Sequence, residues 1–127
     1  MTVITVQMFQ GPLNYPPGAK NIYFTPATNQ VLITIAGSGS CIAPPDYMGV
    51  KPILNSKAID DPTAPGGFAS ARIYDDATPN RQTFVPLTVI APVLKAQENL
   101  LTLLPMTVST ATDANDVFTV TIYDVGS

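Results

Sequence analysis

The sequence contains no histidine and no tryptophan, and it has a single cysteine, Cys41. Histidine is the commonest general base and a frequent metal ligand in enzymes, so its absence excludes Ser-His-Asp and Cys-His catalytic sites. One cysteine without histidine also falls short of every standard tetrahedral zinc site and cannot form a disulfide within the chain. We therefore expect a protein that is not an enzyme, with no catalytic residues, no metal site and no cofactor.

Charged side chains are also scarce, because they make up 12% of the 127 residues, about half of the ~25% typical of soluble domains. The six basic residues are scattered singly and the net charge is −3. Nucleic acid binding draws on clustered positive charge, so we expect no nucleic acid partner. With 46% apolar residues, a monomer would expose apolar patches, which commonly mark interfaces. Assembly with copies of itself or with a larger partner is the leading hypothesis.

Long apolar runs are missing as well, since no segment approaches the ~18 consecutive apolar residues of a membrane span. The first ten residues lack the basic start of a signal peptide, and Thr2, Thr5 and Gln7 interrupt their apolar character. We therefore expect neither a membrane-spanning segment nor a secretion signal.

Thirteen prolines separate segments in which apolar and polar residues alternate. A period of two is typical of a half-buried β-strand. In the first such segment Ile4, Val6 and Met8 are predicted to share the buried face. The clearest strands are predicted at residues 3–9, 21–25, 31–36, 68–74, 83–93 and 117–125.

Local features refine the assignment of secondary structure at three places. Residues 21–25 and 31–36 are close in sequence and are expected to pair as a hairpin. Pro86 and Pro92 each remove a backbone donor, so the strand at 83–93 should lie at a sheet edge or bend. Residues 95–104 fit a short helix or a turn followed by a strand through Val108, and the β context favours the second interpretation.

Seven or eight strands at this spacing, with no convincing long helix, predict an all-β protein. We expect one domain over residues 1–127, a β-sandwich of the jelly-roll type with long loops rich in proline and glycine.

The strand pattern weakens between residues 37 and 67, where glycine and proline recur every few residues. Only residues 50–54 could form a strand there, and Pro52 would confine it to a sheet edge. A long ordered loop is uncommon unless it binds something, so this region is the candidate contact surface, with a flexible linker as the alternative. Its candidate interaction residues are Tyr47, Met48, Val50, Ile53 and Leu54.

Two other kinds of site are considered from side-chain chemistry. The aspartates mostly stand in turn contexts, although Asp113, Asn115 and Asp116, or the Asp75-Asp76 pair, could supply oxygen ligands to calcium. Tyrosine rings can stack on the apolar faces of sugars. The five tyrosines, which could form a sugar platform or cap the core, are Tyr15, Tyr23, Tyr47, Tyr74 and Tyr123.

The closing stretch TDANDVFTVTIYDV at 112–125 and the opening MTVITV at 1–6 resemble small virion proteins of tailed and icosahedral bacteriophages. The likeness lies in charge-poor strands, threonine-rich faces and proline-rich loops, so it transfers no functional residue. It implies a capsid decoration, vertex or fibre-associated β-sandwich in the virion, assembled in the host cytoplasm, with copies of itself or other virion proteins as partners. The alternative is a carbohydrate-binding module or lectin-like receptor-binding domain with a glycan partner.

Overall fold

A computed structural model of the chain describes residues 1–11, 19–40, 46–75, 81–106 and 115–126. Within these residues the structure consists of ten strands and one 3₁₀ turn at Pro65–Gly67. The strands are β1 (Thr2–Gln10), β2 (Lys20–Phe24), β3 (Gln30–Ser40), β4 (Asp46–Leu54), β5 (Lys57–Ala58), β6 (Ala71–Asp75), β7 (Arg81–Thr83), β8 (Leu87–Pro92), β9 (Asn99–Pro105) and β10 (Val117–Asp124).

The strands form two antiparallel sheets. In the first sheet the order is β1-β10-β3, and β3 then pairs with β8 along its first half and with β7 at its end. In the second sheet the order is β2-β9-β4, and β4 then pairs with β6 and with β5. The prediction of an all-β sandwich is therefore confirmed.

One hydrophobic core lies between the two sheets. The first sheet contributes the inward side chains of Val31, Ile33 and Ile35, which have no exposed surface. The second contributes Leu101 and Leu103 from β9, which are almost equally buried. Full burial of such a side chain stabilises the fold by about 1.5–3 kcal/mol, so the alternation visible in the sequence drives the packing of the two layers.

The predicted hairpin between residues 21–25 and 31–36 is wrong. β2 pairs with β9, while β3 pairs with β10 and β8 in the other sheet. Both strands bury an apolar face in the same core. This burial is achieved equally well whether the two strands are neighbours in one sheet or lie in the two facing sheets. The crossover loop is held by the Asp124 carboxylate, whose Oδ1 accepts hydrogen bonds from the Ala27 and Thr28 amides at 3.1 and 3.2 Å.

Strand β3 continues to Ser40, beyond the predicted end at residue 36. Glycine is required at position 37 inside this strand, because a Cβ atom there would lie 2.6 Å from the Phe118 ring and collide with it. Glycine inside a strand often marks such a close approach. Phe118 in turn stacks on Phe84 at 5.4 Å between ring centroids, which fixes the chain between β7 and β8 over the core.

Strand β4 begins at Asp46 and is central in its sheet, contrary to the prediction of an edge strand at 50–54. Pro52 is accommodated because pairing with β6 ends at Val50 and pairing with β5 begins at Ile53. Pro52, which has no backbone N–H, therefore lies between the stretch that pairs with β6 and the stretch that pairs with β5. Much of the predicted 37–67 loop is consequently strand.

The two remaining local predictions agree with the structure. The segment 83–93 bends into β7 and β8, and β8 lies at the edge of the described sheet. Residues 94–98 form a turn before β9, so the preferred interpretation of that region is confirmed up to Pro105, and Val108 lies outside the described residues. No helix in the described part of the chain is long and apolar enough to span a membrane.

Gly49 is the glycine on which packing of β4 against β6 depends most directly. Its φ is +150°, and an added Cβ would collide with the Ala71 carbonyl oxygen and lie 2.7 Å from the Arg72 Cα. We expect Gly49→Ala to lower the free energy of unfolding by about 3 kcal/mol or more, since backbone strain and overpacking add. Urea denaturation measures this change.

The matched control is Gly67→Ala, because Gly67 also has positive φ, +77°, but has open space around its Cβ position. That change is expected to cost only the ~1–2 kcal/mol of a left-handed alanine. Equal losses of stability in the two variants would contradict a tight contact at Gly49.

Candidate functional site

The five predicted interaction residues lie on β4, which is a strand and not a loop. Met48 and Val50 have no exposed surface and Leu54 is 8% exposed. These three side chains already pack in the core, so they are not available to a partner. Tyr47 and Ile53 are half-buried and retain some surface.

Strand β1 exposes an apolar face that the sequence pattern assigned to the core. A bulge between Val3 and Thr5 shifts the register with β10, and such an extra residue moves the side chains after it to the opposite face of the sheet. Ile4 still packs against the core, but Val6 and Met8 are 59% and 64% exposed. The prediction that Ile4, Val6 and Met8 share a buried face is therefore wrong.

The side of the first sheet that faces away from the core carries no charged residue in four successive cross-strand rows. We call this surface the outer face. Its rows are Val3, Tyr123, Leu32 and Ile90; Val6, Thr121, Thr34 and Thr88; Met8, Thr119 and Ala36; and Gln10, Val117, Ser38 and Thr83. A water-facing side of an antiparallel sheet is usually polar; on the outer face that polarity comes from uncharged residues, mostly threonine, which are mixed with apolar side chains.

The sheet edges differ in how they are protected against pairing with another chain. Within the described residues, β1 is a nine-residue edge strand with neither charge nor proline. Strand β8, at the opposite edge, is bounded by Pro86 and ends at Pro92, and β2 is five residues long and begins with Lys20. Proline, lysine and shortness are common means of blocking an exposed edge. The β1 edge lacks all three; its one interruption is the bulge between Val3 and Thr5, after which residues 5–10 pair with β10 in unbroken register.

A cleft of about 340 Å³ lies where β6, at the edge of the second sheet, meets the segment between β7 and β8 of the first sheet. There the Val85 amide donates a hydrogen bond to the Arg72 carbonyl at 2.9 Å and links the sheets. We call it the tyrosine cleft. The residues that line it are Tyr47, Asp61, Ser70, Arg72, Ile73, Tyr74, Val85, Pro86, Leu87 and Thr88.

Aromatic and cationic groups are ordered together in the tyrosine cleft. The rings of Tyr47 and Tyr74 meet edge to face, with centroids 5.2 Å apart and planes at 76°. The Arg72 guanidinium carbon lies 5.9 Å from the Tyr47 ring centroid, and its Nη1 donates to the Ser70 hydroxyl at 2.9 Å. The two tyrosines meet because Tyr47 on β4 is directly opposite Tyr74 on β6, so both side chains lie on the same face of the sheet.

Asp61 supplies an anionic acceptor at the same cleft. The hydroxyl and amide of Thr63 donate to Asp61 Oδ1 at 2.7 and 3.1 Å. These two bonds lower the pKa of the Asp61 carboxyl, partial desolvation opposes them, and the positive charge of Arg72 lowers the pKa slightly further. The stability that these bonds contribute is present above the ordinary carboxyl pKa and is lost as the pH falls through the lowered one.

Of the five tyrosines considered for a sugar platform, the structure brings two together. Tyr47 and Tyr74 share the tyrosine cleft, whereas Tyr23 is exposed on β2 and Tyr123 lies on the outer face. Tyr15 lies outside the described residues. Pairing of Tyr47 with Tyr74 depends on sheet register, which the sequence pattern did not reveal.

A larger cleft of about 520 Å³ lies between the β4-β5 turn and the end of β8. Its walls are mostly apolar and include the exposed side chains of Ile90 and Leu94. Asn55 also lines it, but its amide donates to Asn99 Oδ1 at 2.8 Å and its oxygen accepts from the Leu100 amide at 3.0 Å. That side chain therefore serves the fold.

The residues considered for calcium are differently engaged. Asp116 is 1% exposed, and its Oδ1 lies 3.4 Å from Nη1 of Arg81. Arg81 also donates to the Asn115 carbonyl at 2.9 Å. Asp113, like Cys41, lies outside the described residues. Across the part of the chain that the structure describes, no three metal-ligating side chains cluster.

Comparison with known proteins adds little to this geometry. No family profile matches the chain, and no curated protein matches it. Among solved structures, it is similar to a 4-O-methyl-α-glucuronidase of family GH115 with specificity for decorated arabinogalactans, at 14% identity and a TM-score of 0.43. The match covers 96% of this chain and 14% of the glucuronidase.

Proposed function

We propose that this protein is a structural subunit of a bacteriophage virion, a capsid decoration, vertex or fibre-associated protein that acts by assembly and not by catalysis. The observation that carries the proposal is the uncharged nine-residue edge strand β1, whose outward side chains Val3, Val6 and Met8 are 51–64% exposed. A long edge strand without charge or proline presents unpaired backbone groups with which another chain can pair.

The strand order supports a jelly roll as the framework of the subunit. If the short β5 and β7 are set aside, the sheets are β1-β10-β3-β8 and β2-β9-β4-β6. In this order the first strands of the chain interleave with the last ones, as in a jelly roll made of two Greek keys. Viral capsid proteins are one class that uses this architecture, and lectins are another, so the fold alone does not establish the function.

The partner proposed for β1 is β1 of a second copy, in antiparallel orientation. In a two-fold antiparallel pair, residue i of one copy faces residue j of the other and j faces i, so charges of one sign on the strand would be brought close together. Strand β1 has none from Thr2 to Gln10. The six residues 5–10 that follow the bulge, at about 3.3 Å each, give a regular edge ~20 Å long, along which the two first sheets would form one continuous sheet.

The outer face enlarges this interface. Pairing through β1 would bring the apolar Val6 and Met8 of one copy beside those of the other on the same side of the joined sheet. Cross-strand apolar pairs each contribute about 0.2–1 kcal/mol. The remaining rows, rich in threonine, are suited to a flat contact with further shell proteins.

The double variant Val6→Lys/Met8→Lys tests assembly directly. Both side chains are exposed, so the fold should be retained, whereas the four lysines of the two copies would lie close together on one side of the joined sheet and repel each other. We expect the purified protein to sediment as a dimer or larger species and the double variant to sediment as a monomer. Analytical ultracentrifugation measures the masses, and circular dichroism verifies the fold.

Ile90→Lys is the matched control, because Ile90 is 57% exposed on the outer face at the opposite edge of the same sheet. It is expected to keep the oligomeric state of the unmodified protein. A monomeric unmodified protein would contradict self-assembly, and equal dissociation by both variants would locate the contact on the whole outer face instead of at the β1 edge.

The virion role makes a separate prediction about composition. A structural subunit occupies fixed positions in the shell, so the chain should be present in purified phage particles at a constant copy number relative to the major capsid protein. Quantitative mass spectrometry of particles washed at high salt measures that ratio. Absence of the chain from washed particles would contradict the virion role while leaving self-assembly intact.

A further inference from the structure

We propose that the tyrosine cleft is a binding site for a neutral pyranose sugar. The cleft combines one open aromatic face, one fixed cationic donor and one fixed anionic acceptor within about 340 Å³. Small-molecule sites commonly occupy ~300–1,000 Å³, so this cleft suits one sugar ring or the end of a glycan.

The aromatic surface is supplied by Tyr74. Its side chain is 55% exposed, and the edge-to-face contact with Tyr47 can cover only one of its two faces. That contact also restrains the ring, which reduces the conformational entropy that a ligand would have to remove on binding. The C–H groups on one side of a pyranose form an apolar surface that stacks on such a ring.

The polar groups of the cleft match the hydroxyl groups of the same ligand. The Nη1 group of Arg72 is held by Ser70, and the guanidinium has further N–H groups with which to donate. Asp61 accepts both Thr63 hydrogen bonds at Oδ1, which leaves Oδ2 able to accept others. Vicinal sugar hydroxyls can donate to the carboxylate and accept from the guanidinium at the same time.

The charges favour an uncharged ligand. Arg72 and Asp61 carry opposite charges and line the same cleft, so their fields largely cancel there. A phosphate or sugar carboxylate attracted by Arg72 would be repelled by the Asp61 carboxylate, whose pKa is lowered by the Thr63 hydrogen bonds and further by Arg72. A neutral polyol uses both groups without that repulsion.

The position of the cleft leaves it accessible during assembly. It lies at the edge where β6 meets the segment between β7 and β8, whereas β1 is at the opposite edge of the first sheet. A subunit paired through β1 would therefore still present the cleft. Sugar binding and assembly are thus independent proposals, and either can fail without the other.

The test is saturation-transfer NMR on the full chain with methyl glycosides of glucose, galactose and mannose, each in both anomeric forms. At least one glycoside should receive saturation at its ring C–H protons, and titration gives its dissociation constant. Tyr74→Ala is expected to weaken that affinity about tenfold or more, since it removes the stacking surface. Arg72→Met, which keeps the aliphatic stem, should weaken it to a similar extent.

Tyr23→Ala is the matched control. Tyr23 is 59% exposed on β2, at the other edge of the second sheet from β6, and does not line the cleft, so its loss should leave the affinity unchanged. Circular dichroism shows whether the variants are folded. The proposal is overturned if none of the glycosides receives saturation, or if Tyr74→Ala and Tyr23→Ala bind equally well.

Discussion

The backbone amide and carbonyl groups along the outer edge of β1, with which no other described strand pairs, are the feature on which this account depends. Every interior strand of a sheet satisfies these groups on both sides, whereas an edge strand leaves one row to water or to another chain. In β1 that row extends over nine residues with no charge or proline. The exposed Val6 and Met8 beside it add apolar surface that water does not stabilise.

The other sheet edges contrast with β1 in their protection. Strand β8 is limited by Pro86 and Pro92, and the edge of β6 is joined to the first sheet by the hydrogen bond from Val85 to Arg72. The two prolines and this hydrogen bond restrict pairing of these edges with another chain, and they also close the side of the sandwich that holds the tyrosine cleft. In the part of the chain that the structure describes, the uncharged β1 edge and the edge that holds the tyrosine cleft therefore lie on opposite sides of the first sheet.

Periodicity of the sequence predicted most strands and the sandwich, because burial of one face requires apolar residues at every second position. It did not predict pairing, since β2 and β3 bury the same kind of face whether they are neighbours or lie in opposite sheets. It also missed the bulge in β1, which depends on the register with β10, and the continuation of β3 through Gly37, which depends on the approach of Phe118. The contact between Tyr47 and Tyr74 also depends on strand pairing, because the two residues come from segments that are distant in sequence and become adjacent strands.

Hydrogen–deuterium exchange of the backbone amides, measured at increasing protein concentration, tests the central claim most directly. If β1 of one copy pairs with β1 of another, amides of β1 should become more protected as the concentration rises, while those of the edge strands β2 and β8 stay unchanged. Protection of β1 that is independent of concentration, in a protein that remains folded throughout, would contradict the account.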